Sequence, residues 1–196
     1  MASELKFLIF GAGAIGTYIG GSLVLTGQAV TFVEREKNIE ELKSRGLRLD
    51  LTLDESVVLS LSKGRNTKES FVIEPRTFTF ESSLESALKF GPFDVAIVAL
   101  KSYDMPALLE TMKPFAEKLP PILCLSNGVD NEPLIAEMFG REKVIYGTVT
   151  TAVKKRNAGD IVLEKLRGVG VAKGHPLSET LFEIFNQAFL KCRLYP

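Results

Sequence analysis

Phe7-Leu-Ile-Phe-Gly-Ala-Gly-Ala-Ile-Gly16 is the stretch that decides how this chain is read. The apolar run Leu5 to Phe10 predicts a short strand ended by glycines, and Ala14 to Leu25 carries small and apolar residues until Gly27, as a helix would. Gly11, Gly13 and Gly16 therefore fall where a strand turns into a helix, with GxGxxG spacing. In that context Gly11 permits the tight turn and Gly13 lets the backbone approach a pyrophosphate. Gly16 lets helix and strand pack closely, and the helix N-terminus presents free N–H groups to the anion. Gly11, Ala12, Gly13, Ala14, Ile15 and Gly16 are thus the candidate cofactor loop. The bland alternative is a glycine-rich turn with no ligand.

Working outward, Ala29 to Val33 predicts a second strand and Lys37 to Arg45 a polar helix capped by Gly46. Leu47 to Leu51, Val57 to Leu61 and Thr77 to Phe80 alternate over short lengths around a polar loop, Lys63 to Ser70. They read as strands with hairpin-like connections. The α/β rhythm returns with a helix from Ser82 to Phe90, a Gly91-Pro92 turn and Phe93 to Leu100, a strand apolar enough to be buried on both faces. A helix from Tyr103 to Leu119, a strand from Pro121 to Leu125, a helix from Glu132 to Phe139 and a strand from Val144 to Thr150 continue the series. Asp160 to Glu164 and Gly168 to Ala172 read as an antiparallel pair, and Leu177 to Leu190 as an amphipathic helix. The expected fold is doubly wound α/β, a mostly parallel Rossmann-like sheet with an antiparallel extension.

The chain has 196 residues, 45% of them hydrophobic, enough for one packed core. No repeat or low-complexity linker divides it, so 1–196 is expected to be a single NAD(P)-binding domain. Its 24 basic and 24 acidic residues balance, leaving no basic field for nucleic acid or an anionic membrane. The start, MASELKFLIFGAG, lacks the long apolar core of a secretory signal, and no stretch approaches the ~18 apolar residues of a membrane span, so a cytoplasmic protein is expected. Cys124 and Cys192 form no CxxC or Cys/His cluster, so neither a disulfide scaffold nor a metal site is expected.

Four further positions can carry chemistry. Glu34 ends the second strand at the distance, roughly 20 residues on, where an acidic residue binds ribose hydroxyls, which favours NAD. Arg35 follows at once, and its guanidinium can fork onto a 2′-phosphate, which favours NADP. The alternative for both is a solvated helix start. Lys101 and Asn127 follow predicted central strands, at the carboxyl ends where open α/β sheets bind ligands. Lys101 supplies a cation for phosphate, ribose or carboxylate, and the Asn127 amide a donor and an acceptor; a solvated loop role is the alternative for each. His175, in a Gly-His-Pro turn with no carboxylate or serine at a recognisable spacing, reads as surface. Cys124, inside a predicted buried strand, reads as core rather than nucleophile.

These residues resemble the ketopantoate reductases (2-dehydropantoate 2-reductases) of pantothenate synthesis. The likeness rests on Phe7 to Gly16, Val30-Thr-Phe-Val-Glu-Arg35, Gly46-Leu-Arg-Leu49, Val98-Ala-Leu-Lys-Ser-Tyr103, Leu125-Ser-Asn-Gly-Val-Asp-Asn-Glu132 and Gly147-Thr-Val-Thr-Thr-Ala152. It implies NADPH binding at Gly11 to Gly16 and Arg35, with Lys101 and Asn127 lining a cleft shared by cofactor and 2-keto acid, and a small-molecule substrate in a homodimer as a further expectation. There are departures. Glu34 stands where a small residue precedes the arginine, which leaves NADH as the other cofactor; Lys63 to Ser70 reads as an insertion; and Val153 replaces a smaller cofactor-contacting residue. The family's helical C-terminal domain, with its catalytic lysine near a Trp-x-Lys-Leu type motif, has no counterpart here, for the chain has no tryptophan. Lys191, read as lying on the last helix, does not match that lysine. The expectation is therefore the nucleotide-binding half of an NADPH-dependent 2-keto acid reductase, inactive alone and with no catalytic residue of its own. A non-catalytic dinucleotide-sensing module and a dehydrogenase of another 2-keto acid are the alternatives.

Overall fold

The computed structural model describes residues 4–61, 70–126, 128 and 130–196. The expected opening is present: β1 (Lys6–Phe10), α1 (Ala14–Leu25), β2 (Ala29–Val33) and α2 (Glu36–Arg45), the last ended by Gly46 at φ +74°. There follow β3 (Leu47–Asp50), α3 (Glu55–Leu61), β4 (Phe71–Ile73), β5 (Thr79–Glu81), α4 (Leu84–Ala87), β6 (Val95–Val98) and α5 (Met105–Met112). The second half holds β7 (Ile122–Cys124), α6 (Asn131–Phe139), β8 (Val144–Val149), β9 (Ala152–Asn157), β10 (Asp160–Lys165), β11 (Val169–Ala172), α7 (Ser178–Gln187) and β12 (Cys192–Tyr195).

The main sheet has the order β12-β11-β8-β7-β6-β1-β2-β5. It is parallel from β8 to β5; β11 runs antiparallel to β8, and β12 parallel to β11. Successive strands are laid down outward from β1 in one direction and from β6 in the other, so β1 and β6 flank the switch point where a doubly wound sheet opens a crevice at its carboxyl edge. One face of the sheet packs Leu8, Phe10, Ala96, Val98, Ile122 and Cys124 with Met105, Leu109 and Ile135 of the covering helices. The other packs Phe7, Ile9, Phe32, Val95, Ile97 and Leu123 with α1 and α7. Burial on both faces is why these strands read as continuous apolar runs rather than alternating ones.

A second sheet, β4-β3-β10-β9, lies over α1. The helix is buried between the layers: a Cβ on Gly20 would stand 2.5 Å from Phe32, and one on Gly21 2.6 Å from Leu49. A helix enclosed in this way is apolar all round, which explains why its sequence shows small residues rather than one apolar stripe. Arg156 ties the second sheet together through Asp50 (2.9 Å) and Asp160 (3.9 Å). Burial by itself would raise the Asp50 pKa, but hydrogen bonds from Thr52 and Arg156 outweigh it and hold the carboxyl below its ordinary value.

Several expectations fail here. Val57 to Leu61 belongs to helix α3, not a strand. Asp54 starts that helix: its carboxylate accepts from the Ser56 N–H (3.1 Å), and its carbonyl accepts from the Val58 N–H (3.1 Å). Val57 is buried while Leu59 is exposed, a difference that five residues of alternation cannot reveal. Thr77 to Phe80 is not hairpin material, since β5 joins the main sheet parallel to β2. Phe32 draws it there, lying 5.1 Å from Phe80 and 5.8 Å from Phe78 between ring centres, contacts worth about 0.5–1.5 kcal/mol each beyond burial. β3 instead pairs antiparallel with β4, across the segment that holds α3.

Asp160 to Glu164 and Gly168 to Ala172 are not paired. β10 pairs with β9 and β3, whereas β11 lies in the main sheet between β8 and β12. β9, with exposed Lys154, Lys155 and Arg156, and β12, whose inward residues Cys192 and Leu194 are too few to set a pattern, escape sequence reading. The expected helix from Tyr103 to Leu119 is broken: α5 covers its middle, and Pro114 lies in the 3₁₀ segment Lys113–Lys118 that follows. Of the polar loop expected from Lys63 to Ser70, residues 63–69 lie outside the described residues. Among the described residues, no helix is long and apolar enough to cross a membrane, and no group of three or more His, Cys, Asp or Glu could hold a metal ion.

Candidate functional site

Three glycines build the loop between β1 and α1, each for a different reason. Gly11 has φ +92°, a conformation side chains rarely adopt, and donates its N–H to Val33 O (2.9 Å). Gly16 lies against it: a Cβ there would stand 1.9 Å from Gly11 O. Gly13 differs from both, since its φ of −75° suits any residue and, among the described residues, a Cβ would meet nothing within 4 Å. The protein therefore has no steric need for glycine at 13; the open space beside it suits a bulky group brought against the backbone.

Gly13 is the N-cap of α1, and Thr17 N–H is the first to bond back, to Gly13 O (3.0 Å). The amides of Ala14, Ile15 and Gly16 are the unpaired N–H groups of a helix start. The N-cap residue, a glycine, has no side chain to cap them and no acidic residue stands in the first turn, so among the described residues the positive end of the helix dipole is left for an outside anion. These residues fit a dinucleotide pyrophosphate.

The loop is braced on both sides. Ala12 N–H donates to Glu34 Oε2 (2.6 Å), and Ala12 O accepts from Gly159 N–H (3.1 Å) in the β9–β10 turn. Glu34 Oε1 accepts from Arg35 N–H (2.8 Å) and Asn38 Nδ2 (3.1 Å). The spacing nominated Glu34 as a ribose ligand; the geometry also makes it the tie between the second strand's end and the glycine loop.

Arg35 points outward, 65% exposed at its side chain, with Nη2 3.4 Å from both carboxylate oxygens of Asp104. Asp104 closes the 3₁₀ turn after β6 by donating its N–H to Lys101 O (2.9 Å). Lys101 opens that turn and places Nζ 5.8 Å from the Tyr103 ring centre. The preceding Leu100 sits against the loop, its Cδ2 2.7 Å from where a Gly11 Cβ would stand. Gly11 to Gly16, Glu34, Arg35 and Lys101 thus gather at one carboxyl edge of the sheet. Asn127 lies outside the described residues, while its neighbour Gly128 would carry a Cβ 3.6 Å from Ser102, so the turns after β6 and β7 approach each other.

The remaining candidates stand apart. His175 accepts Leu177 N–H at Nδ1 (3.1 Å) and places Nε2 3.1 Å from Glu142 O, capping the approach to α7. Lys191 is not on the last helix: it follows α7 at φ +48° and leads into β12. Val153 lies on β9, packed toward the core. Burial pushes the Cys124 thiol up to about 12 and the Cys192 thiol to about 11, so neither is a nucleophile at neutral pH. Sequence reasoning missed Asp104, Asn38 and Gly159. Only Asp104 left a signal, its position just past the end of a central strand.

The sequence model of the ketopantoate reductase PanE/ApbA family matches residues 7–173. A 2-dehydropantoate 2-reductase from Pyrococcus horikoshii is 29% identical over 192 residues, covering 95% of this chain and 55% of that protein. The oxidoreductase YkpB of Bacillus subtilis is 33% identical over 157 residues, covering 80% of this chain and 45% of its own length. The chain therefore spans about half the length of these relatives. Among solved structures, a PanE/ApbA family ketopantoate reductase from Ralstonia eutropha superposes with a TM-score of 0.77 at 22% identity, over 97% of this chain and 56% of that one. A 2-dehydropantoate 2-reductase from Geobacter metallireducens gives 0.74 at 26% identity, over 97% and 58%.

Proposed function

The chain belongs to the ketopantoate reductase family, and from that premise we propose that it is the NADPH-binding part of a reductase that converts a 2-keto acid, 2-dehydropantoate, to its 2-hydroxy acid. The observation that carries this reading is the glycine loop, whose middle glycine faces open space at an uncapped helix start. When bound, the reduced nicotinamide supplies the hydride equivalent to the keto carbon. The chain's own residues bind and orient. Ala14, Ile15 and Gly16 N–H groups hold the pyrophosphate, Arg35 receives the 2′-phosphate, and Lys101, with Asn127 assigned by its place in the sequence after β7, serves cofactor and substrate together. Lys101 offers its ammonium to a ribose hydroxyl or the substrate carboxylate. The proton that completes the hydroxyl comes from a donor in the half of the relatives that this chain does not span.

Calorimetry with NADPH, followed by the NADPH absorbance assay with 2-dehydropantoate, tests both parts. The expected result is binding without turnover for residues 1–196, and turnover for a full-length relative; positioned proton transfer alone contributes about 10²- to 10⁴-fold. A folded chain that binds no dinucleotide refutes the proposal. Comparable turnover by the chain alone overturns the placing of the proton donor and points to Lys101.

A further inference from the structure

We infer that Asp104 is a specificity-determining residue of the nucleotide site, one that weakens NADPH relative to NADH; this rests on the dinucleotide reading above. Both carboxylate oxygens of Asp104 approach the same guanidinium nitrogen of Arg35, at 3.4 Å each. That is an end-on, long contact rather than a two-nitrogen fork, and with the Arg35 side chain 65% exposed it contributes little to folding. Its consequence lies in binding. The guanidinium that would receive a 2′-phosphate already faces a carboxylate, and the incoming phosphate must take its place.

Asp104 cannot retreat far. Its N–H is bonded to Lys101 O, and the next residue, Met105, is fully buried as the first residue of α5. The carboxylate therefore stays beside any group that Arg35 binds. A 2′-phosphate meets a like charge there, whereas the neutral 2′-hydroxyl of NADH does not. Glu34, the residue that spacing nominates for selectivity, is differently engaged: its carboxylate accepts from Ala12, Arg35 and Asn38. Glu34 holds the loop's shape, on which both cofactors depend, while Asp104 faces the one group by which they differ.

The test is titration of the full chain with NADPH and with NADH, following nucleotide fluorescence, for wild type, Asp104→Asn and Asp104→Ser, with thermal melts to confirm folding. Both variants should raise the NADPH to NADH affinity ratio about fivefold at low salt, and the gain should shrink toward unity in about 1 M salt, where the screening length falls to ~3 Å. A ratio that is unchanged or lower in either folded variant overturns the inference while leaving dinucleotide binding intact. If folded wild type binds neither nucleotide, the nucleotide reading fails and the inference falls with it.

Discussion

Gly13 and Gly16 stand three residues apart in one motif, yet the structure assigns them opposite consequences on substitution. At Gly16 a methyl group would stand 1.9 Å from Gly11 O, so the loop must move by more than about 1 Å to admit it. That loop is held by the Gly11–Val33, Ala12–Glu34 and Gly159–Ala12 hydrogen bonds, which oppose the shift. Gly16→Ala should therefore destabilise by about 3 kcal/mol, the upper end of overpacking, lowering Tm by roughly 6–12 °C in a domain of this size. At Gly13 the backbone is extended, φ −75° and ψ −166°, and the Cβ position is open. Gly13→Val gains about 0.4–1 kcal/mol through the unfolded chain and gives back a similar amount as a poorer N-cap, so Tm should stay within about 2 °C. Its branched side chain occupies the space a pyrophosphate needs, and NADPH affinity should fall at least about tenfold, or 1.4 kcal/mol. Differential scanning calorimetry and isothermal titration on the same preparations read the two effects separately. A Gly13→Val protein that melts as low as Gly16→Ala, or binds NADPH like wild type, refutes the reasoning.

Arg35→Ala should weaken NADPH by about 1–3 kcal/mol and change NADH little, since only the former offers a 2′-phosphate to the guanidinium; equal losses in titration would contradict this. Glu34→Ala removes the acceptor of the Ala12 N–H and should weaken both dinucleotides to a similar extent, by about 1 kcal/mol, with Glu34→Gln recovering only part of it, because its single amide oxygen can keep the Ala12 bond while its NH2 faces the Arg35 and Asn38 donors. Burial raises the Cys124 pKa to about 12, so the folded state keeps a proton that the unfolded chain releases near pH 8.5. Stability from this thiol is fully present below about pH 8.5 and declines as pH rises toward 12. In urea denaturation Cys124→Ala should flatten that alkaline slope, and an unchanged slope would exclude the thiol as its source.

The sequence by itself determined the elements whose local and global signals agree. β1, α1 and β2 lie where Phe7 to Val33 placed them, because strands buried on both faces are continuously apolar and the glycine spacing leaves one turn geometry available. The glycine loop was legible for the same reason: Gly11 and Gly16 are fixed by backbone geometry within a few residues of each other. Tertiary structure decided whatever depended on a distant partner. Five alternating residues could not say that Asp54 would start a helix running through Val57 to Leu61, and β9 and β12 are strands only because β10 and β11 offer them hydrogen bonds. The pairing of β5 with β2 rests on Phe32 finding Phe78 and Phe80 across many intervening residues. Arg35 and Asp104 are 69 positions apart and meet only because β2 and β6 flank β1, bringing their carboxyl ends to the same edge. A one-dimensional pattern records which groups are present; which charges face each other is set by strand order.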